Sequence, residues 1–217
     1  MSISYNSVTA VHLRLYCNNQ LMGPATGFFF QISGFKYLVS NWHVFSGRNT
    51  YTGKSEHSSL AVPDEIEIWF HSQKLGEYFN GFRIPLYKAN GKARWIQHQE
   101  GQRFDIGAIR LRNLNPKYNV YPVNHENSCN DVAIVVASEV FILGFPLGLT
   151  KQGPLPVWKR GTIASEPEIM PDDKTPTILV DTATREGMSG APVYAGSANG
   201  SYLTHDGNSA MANGPIF

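Results

Sequence analysis

An all-β fold of two small units joined by a linker is predicted by three features of the sequence. Apolar residues recur in short runs, most of them alternating with polar ones, and nothing before residue 112 sustains a helical period. Glycine (20 residues), proline (13) and aromatics (12%) are frequent, a mixture that suits short strands joined by turns. Between two sets of such runs lies RNLNPKYNVYPVNHENSCND (112–131), rich in Asn and Pro and nearly free of periodicity. The 217 residues supply ample core for this arrangement.

Taken in order, VTAVHLRLYC (8–17) sets Val11, Leu13, Leu15 and Cys17 on one face and His12 and Arg14 on the other. GFFFQISGFKYLVSNWHVF (27–45) reads as two strands around the turn Ser33-Gly34, the second closing at His43. DEIEIWFHS (64–72) alternates Ile66, Ile68 and Phe70 with Glu65, Glu67 and Trp69, and GFRIPLYK, ARWIQH and DIGAIRL continue the pattern. Beyond the linker, 132–146, 156–165, 177–185 and 191–195 read as strands again, and 196–217 as a loose tail rich in Gly, Asn and Ser. The expected division is 1–115, a linker at 116–130, and 131–217.

The formal charge of +1 provides no electrostatic reason to expect nucleic acid or an anionic membrane as partner. No window approaches the length of a membrane span, and the N-terminus has neither the basic start nor the apolar run of a signal peptide. Cys17 and Cys129 lie far apart without paired spacing and read as reduced thiols, a disulfide being the lesser reading. The chain is placed in the cytoplasm. No His-Glu-x-x-His or Cys-x-x-Cys spacing occurs, so neither metal nor cofactor is expected.

The stretch TREGMSGAPV (184–193) sets Ser189 between Gly187 and Gly190, a turn tighter than a simple reversal needs. It is not the Gly-x-Ser-x-Gly elbow, because Ala191 stands at the fifth position and a strand follows. A serine hydroxyl needs a base to become a nucleophile. Of the seven histidines, His12 and His71 read as surface residues of strands, and four others lie in polar loops. His43 is held among bulky apolar neighbours that would fix its imidazole. Asp105, at the entrance of FDIGAIRL, is the best placed acceptor to orient that ring, ahead of Asp172, Asp173 and Asp181. The order His43, Asp105, Ser189, with the linker before the serine, places base and acid on one unit and the nucleophile on the other.

These blocks, GPATGFFFQISGFKYLVSNWHVF, FDIGAIRL, ILGFPLG followed by VWKRGTIAS, and REGMSGAPV, resemble those of the chymotrypsin-like (trypsin-like) serine peptidases. Within these the chain is most similar to the bacterial trypsin-like group that includes the high-temperature-requirement proteases. The resemblance implies two six-stranded Greek-key barrels with a cleft between them, acting on a peptide or protein substrate as a serine endopeptidase. It makes His43 the general base then acid, Asp105 its orienter, Ser189 the nucleophile, and the amides of Gly187 and Ser189 the oxyanion hole. It also puts Ala183 at the base of the primary pocket and Thr184 and Glu186 at its entrance. Ala183 supplies no charge, which points to a small or medium apolar residue; Arg185, turned inward, would reverse that preference.

The chain departs from the digestive relatives at Met188, where they carry the aspartate that pairs with a new N-terminus. No such zymogen step is expected, and the oxyanion hole has to be ordered by other means. Only 28 residues follow Ser189, so the C-terminal barrel is expected to be truncated, with further domains or a regulatory partner beyond residue 217. The rival expectations are a non-proteolytic or dormant module that binds peptides or a partner on the same fold, and an esterase using the same residues.

Overall fold

The computed structural model describes residues 3–74, 77, 81–125, 131–149, 155–169, 177–212 and 214–217. Cys129, Asp172, Asp173 and the end of the expected linker lie outside these residues, and Cys17 is a free thiol. The first sheet is built from β1 (Ala10–Cys17), β2 (Gln20–Ile32), β3 (Phe35–Ser40), β4 (Glu65–Ile68), β5 (Phe82–Pro85), β6 (Ile96–Gln97) and β7 (Gly107–Arg110). Its strand order is β5-β4-β1-β2-β3-β7-β6. A second sheet, in the order β10-β9-β8-β11, comprises β8 (Glu139–Gly144), β9 (Val157–Ile163), β10 (Val180–Asp181) and β11 (Val193–Ala195). β12 (Ser201–Leu203) and β13 (Ser209–Met211) form a hairpin.

The alternation read in 64–72 sets the first core. Ile66, Ile68 and Phe70 are buried with Val11, Leu13, Phe29 and Leu38, and the Phe29 and Phe70 rings stack with centroids 5.5 Å apart. Each such fully buried side chain contributes roughly 2 kcal/mol. A second cluster gathers Ala10, Phe141, Leu143, Phe145 and Tyr194, with the Tyr194 hydroxyl bonded to Thr9.

Four expectations are corrected. The all-β class holds, with sheets of seven, four and two strands among the described residues, but 132–146 is not one continuous strand. The reason is visible before β8, where Ala137 takes a φ of 68° and Ser138 N–H donates to the Val135 carbonyl at 3.0 Å. The chain turns there, so only part of 132–146 is strand. Second, the strand leading to His43 ends at Ser40, and His43 lies in the short helix α1 (Trp42–Ser46). Third, 196–217 is not loose: it carries the β12–β13 hairpin, and Ile216 bridges back to Ala195.

Fourth, His12 and His71 are buried, each 1% exposed. The face of β1 that carries Ala10 and His12 is covered by the second cluster, with the His12 and Phe145 rings 5.2 Å apart. Burial first, and then the charge of Arg14, pushes the His12 pKa down to about 4 against the pull of Glu67. Burial alone pushes that of His71 down to about 4. Both values lie below the 6.5 of an exposed histidine. Stability from these neutral rings is therefore full above that value and is lost as pH falls toward 4.

Candidate active site

His43 and Asp105 are brought together by the way β3 runs into α1 while β7 begins alongside. The Asp105 carboxylate makes two bonds to one residue. Its Oδ1 accepts the His43 backbone N–H at 2.9 Å, and its Oδ2 meets the ring Nδ1 at 2.7 Å. The first bond satisfies an otherwise free amide in the first turn of α1. The second makes Nδ1 the protonated nitrogen, because a carboxylate only accepts, and leaves Nε2 with its lone pair. Asn41 reinforces the arrangement by donating from Nδ2 to the Asp105 carbonyl at 2.8 Å. Burial works against the imidazolium of His43, but the hydrogen bond and charge of Asp105, with the charge of Glu56 beyond, outweigh it. The His43 pKa is raised.

The serine turn is defined with equal detail. Met188 N–H donates to the Arg185 carbonyl at 3.1 Å, and Gly187, the third residue of that turn, has a φ of 90°. This is a type II arrangement, which calls for glycine at that place. The Glu186 carbonyl accepts the Leu147 N–H at 2.6 Å. Carbonyl and N–H lie on opposite sides of a trans peptide, so the Gly187 N–H points away from Leu147. Among the described residues neither the Gly187 nor the Ser189 amide donates to a protein acceptor. Gly190 follows because there is no room for more: a Cβ there would lie 2.0 Å from Ser40 Oγ and 2.2 Å from the Thr26 carbonyl oxygen. Met188 is buried against Val140, Ile142 and Ile163. Its side chain anchors the turn by apolar packing, where an aspartate would require an ionic partner.

His43, Gly187 and Ser189 line one cavity of about 280 Å³, with Glu56 and Glu186 at its wall. No hydrogen bond joins the His43 ring to the Ser189 hydroxyl among the described contacts. Of the expected pocket residues only Glu186 reaches this cavity. Ala183 and Thr184 are exposed, the Ala183 carbonyl accepting a hydrogen bond from Lys159 Nζ and that of Thr184 one from Arg185. Glu56 lines the cavity, and Leu147 and Thr26 bond to the serine turn; sequence reasoning gave a role to none of the three. Only the GFPLG turn carries a local signal, in its Pro and Gly around Leu147. Among the described residues no group of three or more His, Cys, Asp or Glu could hold a metal ion. No helix among them is long and apolar enough to cross a membrane.

The all-β chain has the chymotrypsin-like fold, which it shares with an HtrA-type protease. The chain belongs to the trypsin-like peptidase domain family, whose model matches residues 25–201. The HtrA-type protease AlgW, solved with a tripeptide, is similar with a TM-score of 0.50 and 15% identity, over 89% of this chain and 51% of that one. A serine endoprotease from Yersinia pestis is similar with a TM-score of 0.44 and 13% identity, over 97% of this chain and 63% of that one. The chain thus spans about half the length of AlgW. No curated protein matches it.

Proposed function

We propose that this chain is a serine endopeptidase in which His43, Asp105 and Ser189 act together. The observation that carries the reading is the 2.7 Å bond from Asp105 to the His43 ring, on a residue that shares one cavity with Ser189 and Gly187. Ser189 Oγ attacks the scissile carbonyl carbon while its proton passes to His43 Nε2. The carbonyl oxygen becomes an oxyanion and accepts the Gly187 and Ser189 amide N–H groups. His43 then gives its proton to the leaving amine, the C–N bond breaks, and an acyl-enzyme remains on Ser189. Water, deprotonated by the same imidazole, releases the acid and regenerates the hydroxyl.

A fluorophosphonate probe, with the adduct mapped by mass spectrometry, tests this reading. An adduct at Ser189 is expected. Folded protein that takes no label would overturn the reading in favour of a module that binds peptides without cutting them.

Two further outcomes follow from the geometry. A Cβ at residue 187 would lie 2.4 Å from the Phe145 carbonyl oxygen, in a backbone region that costs an L-residue roughly 1–2 kcal/mol. Gly187→Ala is therefore expected to rearrange the turn and lower kcat by about 10²–10³-fold with a smaller change in KM. Glu56→Gln removes a charge that favours the imidazolium. The rate needs neutral His43 and rises with pH through its pKa, so in this variant the acid limb of the kcat/KM profile moves to lower pH. The displacement shrinks in high salt, since Glu56 is exposed. An unmoved limb at low salt would rule out the coupling.

A further inference from the structure

We infer that Thr26 is the positioning residue of the oxyanion turn, the device that orders it in a chain with no aspartate beside the nucleophile. The inference rests on the serine-peptidase reading above. Thr26 lies on β2, is fully buried, and bonds through all its polar groups. Its N–H donates to the Ser189 carbonyl at 2.9 Å, and its Oγ1 donates to the Gly187 carbonyl at 2.7 Å. The same Oγ1 accepts the Phe145 N–H at 3.1 Å, and the Thr26 carbonyl accepts Ser40 Oγ at 2.7 Å.

The consequence is geometric. The carbonyls of Gly187 and Ser189 are both drawn toward β2, on one side of the turn. Phe145, fixed by the same hydroxyl, begins the loop whose Leu147 N–H takes the Glu186 carbonyl. Three carbonyls of the turn, those of residues 186, 187 and 189, are thus held by Thr26 or by the loop it anchors. The Gly187 N–H shares its peptide with the Glu186 carbonyl. The Ser189 N–H shares its peptide with the Met188 carbonyl, which accepts the Ala191 N–H at 3.0 Å and lies between two peptides that Thr26 holds, so both amides stay aimed at the cavity. A hydroxyl is needed at position 26 because one atom must donate to Gly187 and accept from Phe145. An isosteric valine does neither and leaves both groups buried without a bond.

Thr26→Val, Thr26→Ala and Thr26→Ser distinguish this role from simple packing. Valine and alanine are expected to lower kcat and the rate of fluorophosphonate labelling by about 10²-fold, with KM changed by less than about threefold. Serine is expected to retain the rate within about threefold, because it keeps the hydroxyl and loses only a methyl group. The acid limb of the pH profile stays in place in all three, since Thr26 does not touch His43 or Asp105. Labelling at wild-type rate in the valine variant, or a serine variant as slow as valine, would overturn the inference.

Hydrogen exchange on the wild-type protein gives a second arm that needs neither activity nor a folded variant. The Phe145 and Leu147 amides are expected to exchange with the protection of the β8 amides. Exchange at the rate of a surface turn would overturn the inference. If the wild-type protein takes no label, the peptidase reading falls, and this arm still decides whether Thr26 ties the turn.

Discussion

Ser189→Ala is expected to abolish the fluorophosphonate adduct and to lower kcat by about 10⁶-fold, the scale known for loss of the serine in another Ser-His-Asp peptidase. The variant tests the nucleophile cleanly because little else depends on the hydroxyl. The Ser189 contacts that shape the turn run through its backbone: the carbonyl accepts the Thr26 N–H at 2.9 Å. The amide donors therefore persist in the alanine variant, and a residual rate of about 10³–10⁴ over uncatalysed hydrolysis is expected. An unchanged melting temperature beside a lost adduct confirms that only chemistry was removed. A variant that still cleaves at the wild-type rate would exclude Ser189 as nucleophile.

Asp105→Asn is expected to lower kcat by about 10⁴-fold, the loss known for this substitution in such triads. Its cause here can be followed atom by atom. The His43 backbone N–H needs an acceptor, and in the native protein Asp105 Oδ1 supplies it at 2.9 Å. An asparagine that keeps this bond has spent its only carbonyl oxygen, and its NH₂ group must face the ring Nδ1. Nδ1 then accepts, the ring proton moves to Nε2, and His43 can no longer take a proton from Ser189. The turned amide is no better, since it sets two N–H groups against each other at the α1 N-terminus. Nitrogen shifts of the imidazole report the tautomer directly: protonation at Nε2 in the variant and at Nδ1 in the wild-type protein are expected. The lost charge also lowers the His43 pKa, because the hydrogen bond and charge of Asp105 are what raise it against burial.

What was legible in the sequence was what is local. The alternation of Ile66, Ile68 and Phe70 records one face of a strand, and that face is the core. His43, Asp105 and Ser189 each stand in a short block of distinctive neighbours, and the structure brings the first two into contact. The burial of His12 was not legible, because alternation tells which side of a strand a residue takes but not whether a second layer covers that side. Thr26 is a harder case. A single threonine in GPATGFFF has no local signature, and its meaning lies in bonds to Ser40, Phe145, Gly187 and Ser189, all distant along the chain. Ala183 and Thr184 have no local signature either. Their expected role was carried by resemblance alone, and their actual surroundings depend on how β9 and β10 pair near Lys159.

The 13 residues of β2 have a consequence for how the site can change. On one side this strand pairs with β3, which leads into the helix of His43; on another it holds the backbone of Ser189 through Thr26. The spacing between imidazole and hydroxyl is therefore gauged by a strand and its neighbours, which lie about 4.8 Å apart, and not by the loops. A strand can slide only in whole residues, and a slip of one would turn Thr26 to the opposite face. The gauge has discrete settings and no fine adjustment. Insertions between α1 and β4, or between β9 and β10, can accumulate without resetting it, whereas a single residue gained or lost within β2 would uncouple the two halves of the site.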